Sequence, residues 1–149
     1  MKYMFFVLLI ALSWQCTTVE EEDKLQGEAT PLLGDEPGIE ETINKYFDGW
    51  MIGDTTLVGE AMHTSCHLKF VRNGEIEMRS KEQYLSGFTL REEPIDAVGR
   101  IISIDVTRTA AAAKVEIERE DRLFADYFNL LKEGDRWYIT DKVSTSIEK

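Results

Sequence analysis

Two carboxylates near the end of the chain, Asp126 and Asp141, are the residues whose placement most invites chemistry. They lie in Asp126-Tyr-Phe-Asn-Leu-Leu-Lys-Glu-Gly-Asp-Arg-Trp137-Tyr-Ile-Thr-Asp-Lys-Val143, two β-rich runs about a Gly134-Asp135 turn. Such a pattern reads as a hairpin. If the connection is tight, Leu130 pairs with Ile139 and Phe128 with Asp141. Asp126, Phe128, Leu130, Trp137, Ile139 and Asp141 then share one face, the more apolar of the two, which should look inward. An apolar site raises the pKa of a carboxyl group and can make it a general acid or base. Either aspartate, with His63 beside it, could therefore move a proton. The plainer alternative places both at a solvent-open mouth, or bonded to backbone or a tyrosine hydroxyl, because buried polar groups are usually satisfied structurally.

His63 and His67 stand four apart with Cys66 between them. On one continuous helix that spacing could offer two imidazoles to a metal. The chain leaves the helical pattern near His63 and enters a strand, which separates them, and no HExxH is present, so no metal site is expected. A phosphate-binding glycine loop, G-x-S-x-G and a Ser/His/Asp order are also missing from the sequence. No catalytic set is assigned, no cofactor is expected, and an enzyme is the weaker reading. Cys66, once Cys16 is lipidated or cleaved away, has no disulfide partner and reads as a small buried hydrophobe.

The elements that must position these groups are legible from periodicity. Over residues 39–52, Ile39, Ile43, Tyr46, Phe47 and Trp50 fall on one helical face. Gly53-Asp54 ends that helix, and Asp54 or Thr55 can cap a shorter one through Met62, with Leu57, Val58, Ala61 and Met62 inward. Asn73-Gly74 between alternating runs signals a hairpin, and Ser80-Lys-Glu-Gln83 is a capping box opening a third helix with Tyr84, Leu85 and Phe88 inside. From Val98 the period becomes two: 99–107, 111–120, 123–131 and 137–143 read as four strands of an antiparallel meander. Helices and a hairpin followed by a run of strands is an α+β order.

The chain has 149 residues and a net charge of −11. Residues 17–38 hold seven acids against one base, leaving −6 for 39–149. An acidic surface repels phosphate backbones, so nucleic acid is not an expected partner. Lys2 and the apolar run Tyr3 to Leu12 read as a secretory leader, too short to span a bilayer as a helix. Cys16 follows where a bacterial lipoprotein carries its lipidated cysteine, although Ser13 and Gln15 depart from the usual pattern. Thr17-Thr-Val-Glu-Glu-Glu-Asp resembles the acidic export signal of Bacteroidetes surface lipoproteins. The expected organisation is a leader at 1–16, an acidic tether at 17–38 rich in Gly and Pro, and a folded domain at 39–149. The expected location is the outer membrane of a Gram-negative bacterium, periplasmic or surface-exposed, with membrane contact through the lipid alone.

The order of elements resembles the putative lumazine-binding family within the NTF2-like superfamily. The resemblance covers about residues 39–146. It rests on the first helix through Tyr46-Phe-Asp-Gly, Ala61-Met-His63, Arg100-Ile-Ile-Ser-Ile-Asp-Val106, Ala113-Lys-Val and the Asp126–Val143 hairpin. It implies a cone: a strongly bent, mainly antiparallel sheet wrapped around about three N-terminal helices, with a pocket inside. It also implies that Tyr46, Trp50, Phe70, Tyr84 and Phe88 come from cavity-lining elements and could sandwich a flat or apolar ligand. Met62, His63, Asp126, Phe128 and Asp141 complete the expected pocket. Family members tend to have Asn where this chain has Asp141, and Thr64-Ser65-Cys66 replaces their usual residues after the histidine. Reactions vary across the superfamily, so fold alone selects none. The expected role is binding an unknown small, partly apolar molecule, or acting as a homodimeric interaction module through the sheet face bearing Tyr127, Asn129, Tyr138 and Thr140. The alternatives are a proton-transfer isomerase or dehydratase using Asp126 or Asp141, and a structural subunit of an envelope assembly.

Overall fold

The structure is a computed structural model and describes residues 35–149. The leader at 1–16, Cys16 and the tether up to residue 34 lie outside the described residues. The first helix, α1 (Glu36–Ile52), opens three residues ahead of Ile39. Asp35 supplies the reason: its side chain accepts the Gly38 N–H at 3.2 Å, satisfying a donor that the first turn would otherwise leave unpaired. Pro37 sits in that turn, where its missing N–H is not needed. Ile39, Ile43, Tyr46 and Phe47 are buried along one stripe. α1 ends at Gly53 in the left-handed conformation, and Asp54 caps α2 (Thr55–Ala61) by accepting from the Thr56 and Leu57 amides.

The chain passes straight into β1 (Met62–Arg72), turns at Asn73-Gly74 and returns as β2 (Glu75–Ser80). Both turn residues have positive φ, 52° and 84°, as a two-residue hairpin requires. The capping box at Ser80 and Gln83 opens α3 (Lys81–Leu85) with both reciprocal bonds present. After a connection come β3 (Ala97–Thr107), β4 (Ala110–Arg119), β5 (Arg122–Glu133) and β6 (Arg136–Glu148). One six-stranded sheet results, in the order β2-β1-β6-β5-β4-β3. Only the β1–β6 pairing is parallel, and it joins the hairpin to the meander. α1 lies across β3 and β6, giving the expected α+β arrangement of three helices against a curved sheet.

The interior between α1 and the sheet is apolar. Ile39, Ile43, Val58, Val115 and Ile139 are fully buried, and burying a side chain of this kind contributes about 1.5–3 kcal/mol. Gly99 belongs to the same packing: a Cβ there would stand 2.7 Å from the Phe47 ring, so the helix can approach β3 only over a glycine.

The β5–β6 register departs from the expected one at a single place. Leu130 does pair with Ile139, but Phe128 pairs with Lys142, and Asp141 lies opposite Asn129. Thr140 is the extra residue of a β-bulge, and its hydroxyl donates to the Asn129 carbonyl at 3.1 Å. One inserted residue exchanges the faces of everything beyond it. Asp141 therefore leaves the inner face and Lys142 takes its place.

Candidate functional site

That exchange determines the fate of the inward carboxylate. Asp126 projects from β5 into the core and forms an ion pair with Lys142, while the Ser144 hydroxyl donates to its other oxygen at 2.6 Å. The two charged side chains are only 3% and 4% exposed. The Lys142 ammonium stands 5.4 Å from the Tyr46 ring centroid and 5.3 Å from that of Phe128, so aromatic faces share in stabilising it. Burial pushes the lysine pKa down, and the Asp126 charge opposes that shift. Asp126 thus has a donor on each oxygen and is closed off from solvent. Tyr46, Phe128 and Met62 are each about 1% exposed or less and belong to the core, not to a cavity wall.

Above Tyr46 the interior opens. The hydroxyls of Tyr46 and Tyr84 share a 2.6 Å hydrogen bond, and burial raises both phenol pKa values above the ordinary range. Tyr84 also lines a cavity of about 250 Å³, together with Trp50, Phe88, Gly87, Ile95 and three arginines, Arg79, Arg91 and Arg119. Trp50 comes from the last turns of α1, Tyr84 from α3, and Phe88 and Ile95 from the connection to β3. Tyr84 and Phe88 meet edge to face with centroids 5.1 Å apart, and Trp50 packs on Phe124 at 5.6 Å, arrangements favoured by the ring quadrupoles. One side of the wall is thus aromatic. The arginines come from the end of β2, the connection after α3 and the end of β4.

The outer face of the sheet carries Asp141 and His63, while Phe70 stays on the inner face with Leu68. Asp141 bonds the Lys69 ammonium at 2.7 Å. His63 is the second residue of β1, outside the sheet, with Nδ1 2.7 Å from the Ser65 hydroxyl and its ring packed on Tyr138. It borders a separate hollow of about 310 Å³ with Leu131, Lys132, Glu133 and Thr140. Phe70 is half-buried between the guanidinium groups of Arg72 and Arg79, at 5.2 and 5.1 Å.

Of the ten residues expected in one pocket, the structure brings Trp50, Tyr84 and Phe88 together around the cavity, and Phe70 adjoins it through Arg79. Asp141 and His63 lie apart from them: the bulge in β6 turns Asp141 to the outer face, and His63 packs on Tyr138 beside the other hollow. Cys66 is buried, and loss of solvent pushes its thiol up to about 12, which suits an inert core residue. Among the described residues, no three His, Cys, Asp or Glu side chains converge as a metal cluster. Sequence reasoning missed Arg79, Arg91, Arg119 and Ile95. They have no common period, and the available hint was that Arg79 directly precedes the capping box that presents Tyr84.

Comparison with known proteins agrees with this architecture. A family model described as putative lumazine-binding matches residues 34–144. Among solved structures, the chain is similar to an NTF2-like protein of unknown function from Shewanella baltica, with 23% identity and a TM-score of 0.68 over 76% of this chain and 94% of that one. It is similar to another from Methylobacillus flagellatus, with 26% identity and a TM-score of 0.62 over 74% and 90%. It is also similar to a ketosteroid isomerase-like protein from Erwinia carotovora atroseptica, with 13% identity and a TM-score of 0.60 over 76% and 96%. No curated protein matches.

Proposed function

The chain belongs to the putative lumazine-binding family of NTF2-like domains, and from that premise we propose that it binds a small, partly apolar molecule between α1, α3 and the sheet. The observation that carries this reading is the cavity of about 250 Å³ walled by Trp50, Tyr84, Phe88 and Ile95. Ligand sites are concave, largely apolar and furnished with a few polar groups, typically at about 300–1,000 Å³. This one lies just below that range and suits a compact ring system. Proton-transfer catalysis has less support, because Asp126 is bonded to Lys142 and Ser144, and Asp141 to Lys69 on the other face. Native mass spectrometry of the full chain purified from its own host tests the reading. A retained small molecule, lost from a Trp50→Ala/Phe88→Ala variant that still folds, is the expected result. Chain mass alone, with no adduct, would count against it.

A specific observation favours a second role on the outer face, self-association. Tyr127, Leu131 and Val143 are each about half exposed there, as are Val98 and Ile102 on β3, and an apolar patch on one sheet face suits a two-fold contact. Solution scattering should give a dimer mass that Leu131→Asp reduces to a monomer; a monomer throughout would remove this role. We also propose that Cys16 carries a lipid holding the domain at the outer membrane. The support is the Lys2 and Tyr3–Leu12 leader and the acidic run that follows. Cys16→Ser should release the protein from the membrane fraction, and unchanged partitioning would remove the anchor.

A further inference from the structure

The charge around the cavity narrows the class of ligand. Its lining residues include three arginines, Arg79, Arg91 and Arg119, and no Asp or Glu. This happens in a domain where acids outnumber bases by six over residues 39–149. Elsewhere, Arg100 stands 2.6 Å from Glu118, Arg122 2.9 Å from Glu148 and Arg72 3.4 Å from Glu77, while Arg108 and Arg136 have no acidic partner among the described residues; neither of these two meets another arginine across a cavity. Around the cavity only Arg119 has an acidic neighbour, through its Nε to Asp121 at 3.4 Å. Among the described residues, Arg79 and Arg91 have no ion-pair partner. Like charges gathered from three separate elements repel one another, and an anion placed among them converts that repulsion into attraction.

We propose that the ligand carries an anionic group held by Arg79, Arg91 and Arg119, with its apolar ring against Trp50, Tyr84 and Phe88. The proposal rests on the reading of this cavity as the ligand site and specifies what it accepts. Guanidinium groups present planar forks of N–H donors that match the oxygens of a carboxylate, phosphate or sulfonate. The aromatic wall supplies the apolar contact that a free inorganic anion would not use. Asp96, Glu120 and Asp121 line a neighbouring hollow that shares Ile95 and Arg119 with the cavity. They lower the net attraction of Arg119, so Arg79 and Arg91 carry the larger share.

A matched pair of dyes tests this on the full chain: anilinonaphthalene sulfonate, which is anionic, and phenylnaphthylamine, a neutral analogue. The sulfonate should bind about tenfold more tightly, and added salt should narrow the gap. Arg79→Gln and Arg91→Gln should each weaken sulfonate binding by about three- to tenfold and leave the neutral dye within about twofold. Phe88→Ala should weaken both, with urea unfolding confirming that each variant folds. Displacement by naphthoate, naphthyl phosphate and naphthol then ranks the anions: either charged compound outcompeting naphthol supports the proposal, and their order names the group preferred. Equal binding of the two dyes, unaffected by the arginine changes but weakened by Phe88→Ala, would overturn the anionic ligand and leave the cavity reading standing. No binding of either dye, or binding indifferent to Phe88→Ala, would overturn both.

Discussion

Inside the sheet, Asp126 and Lys142 are buried together and neutralise each other; around the cavity, Arg79, Arg91 and Arg119 gather with a carboxylate on only one of them. Both regions place charge beside aromatic rings, Tyr46 and Phe128 in the first, Trp50, Tyr84 and Phe88 in the second. The difference lies in access to water. A charge removed from solvent must find its counter-ion within the fold, or the cost of burying it falls on stability. A charge at the edge of an open cavity remains hydrated and can wait for a partner from outside. The interior pair therefore answers to folding and, on the proposed reading, the arginines to binding, a division that mutation can separate.

The largest effect should come from breaking the interior pair. Asp126→Asn or Lys142→Met strands one buried charge, which costs about 3–5 kcal/mol in comparable cases. Urea unfolding should show that loss, and the double variant Asp126→Leu/Lys142→Met should recover most of it. Arg79→Gln and Arg91→Gln should shift stability by no more than about 0.5 kcal/mol in the same titration, as surface substitutions usually do. A comparable loss in both regions would erase the distinction.

A smaller effect belongs to the pair on the outer face. Asp141→Asn loses a partly exposed contact with Lys69, worth about 0–1 kcal/mol, even though the sequence pairs Asp141 with Asp126 as equals. If Asp141→Asn cost as much as Asp126→Asn, the bulged register would be in error.

The Tyr46–Tyr84 bond joins the two regions and can be read through pH. Burial raises both phenol pKa values above the ordinary tyrosine value of about 10. The folded protein then holds protons that the unfolded chain releases above pH 10, so the stability from these groups is fully present below pH 10 and declines as pH rises beyond it. Tyr84→Phe should make that alkaline decline shallower in denaturant titrations taken across about pH 9 to 11, roughly one unit either side of the ordinary tyrosine pKa. A decline of unchanged slope would show that Tyr84 does not contribute to it.

The local features of this fold were legible because each has its own chemistry in consecutive residues. The Asn73-Gly74 turn, the Ser80–Gln83 capping box and the stripe Ile39, Ile43, Tyr46, Phe47 need no tertiary information. The bulge was not legible: Trp137-Tyr-Ile-Thr-Asp-Lys-Val has no Gly or Pro to mark it, and a period of two carried Asp141 inward by default. Thr140 reversed that assignment through a single hydrogen bond to Asn129. The aromatic half of the site could be anticipated, since Trp50, Tyr84 and Phe88 sit on inward helical faces or just beyond them. Its arginines could not, because positions 79, 91 and 119 meet only once β2, the connection after α3, and β4 are folded beside one another.

The central claim, that ligands enter between α1, α3 and the sheet, is tested most directly by mapping amide NMR shifts during titration with anilinonaphthalene sulfonate. The shifts should cluster on Trp50, Tyr84, Gly87, Phe88 and Ile95, with Arg79 and Arg91 following. Shifts centred instead on His63, Leu131 and Tyr138 would move the binding site to the outer face and contradict it.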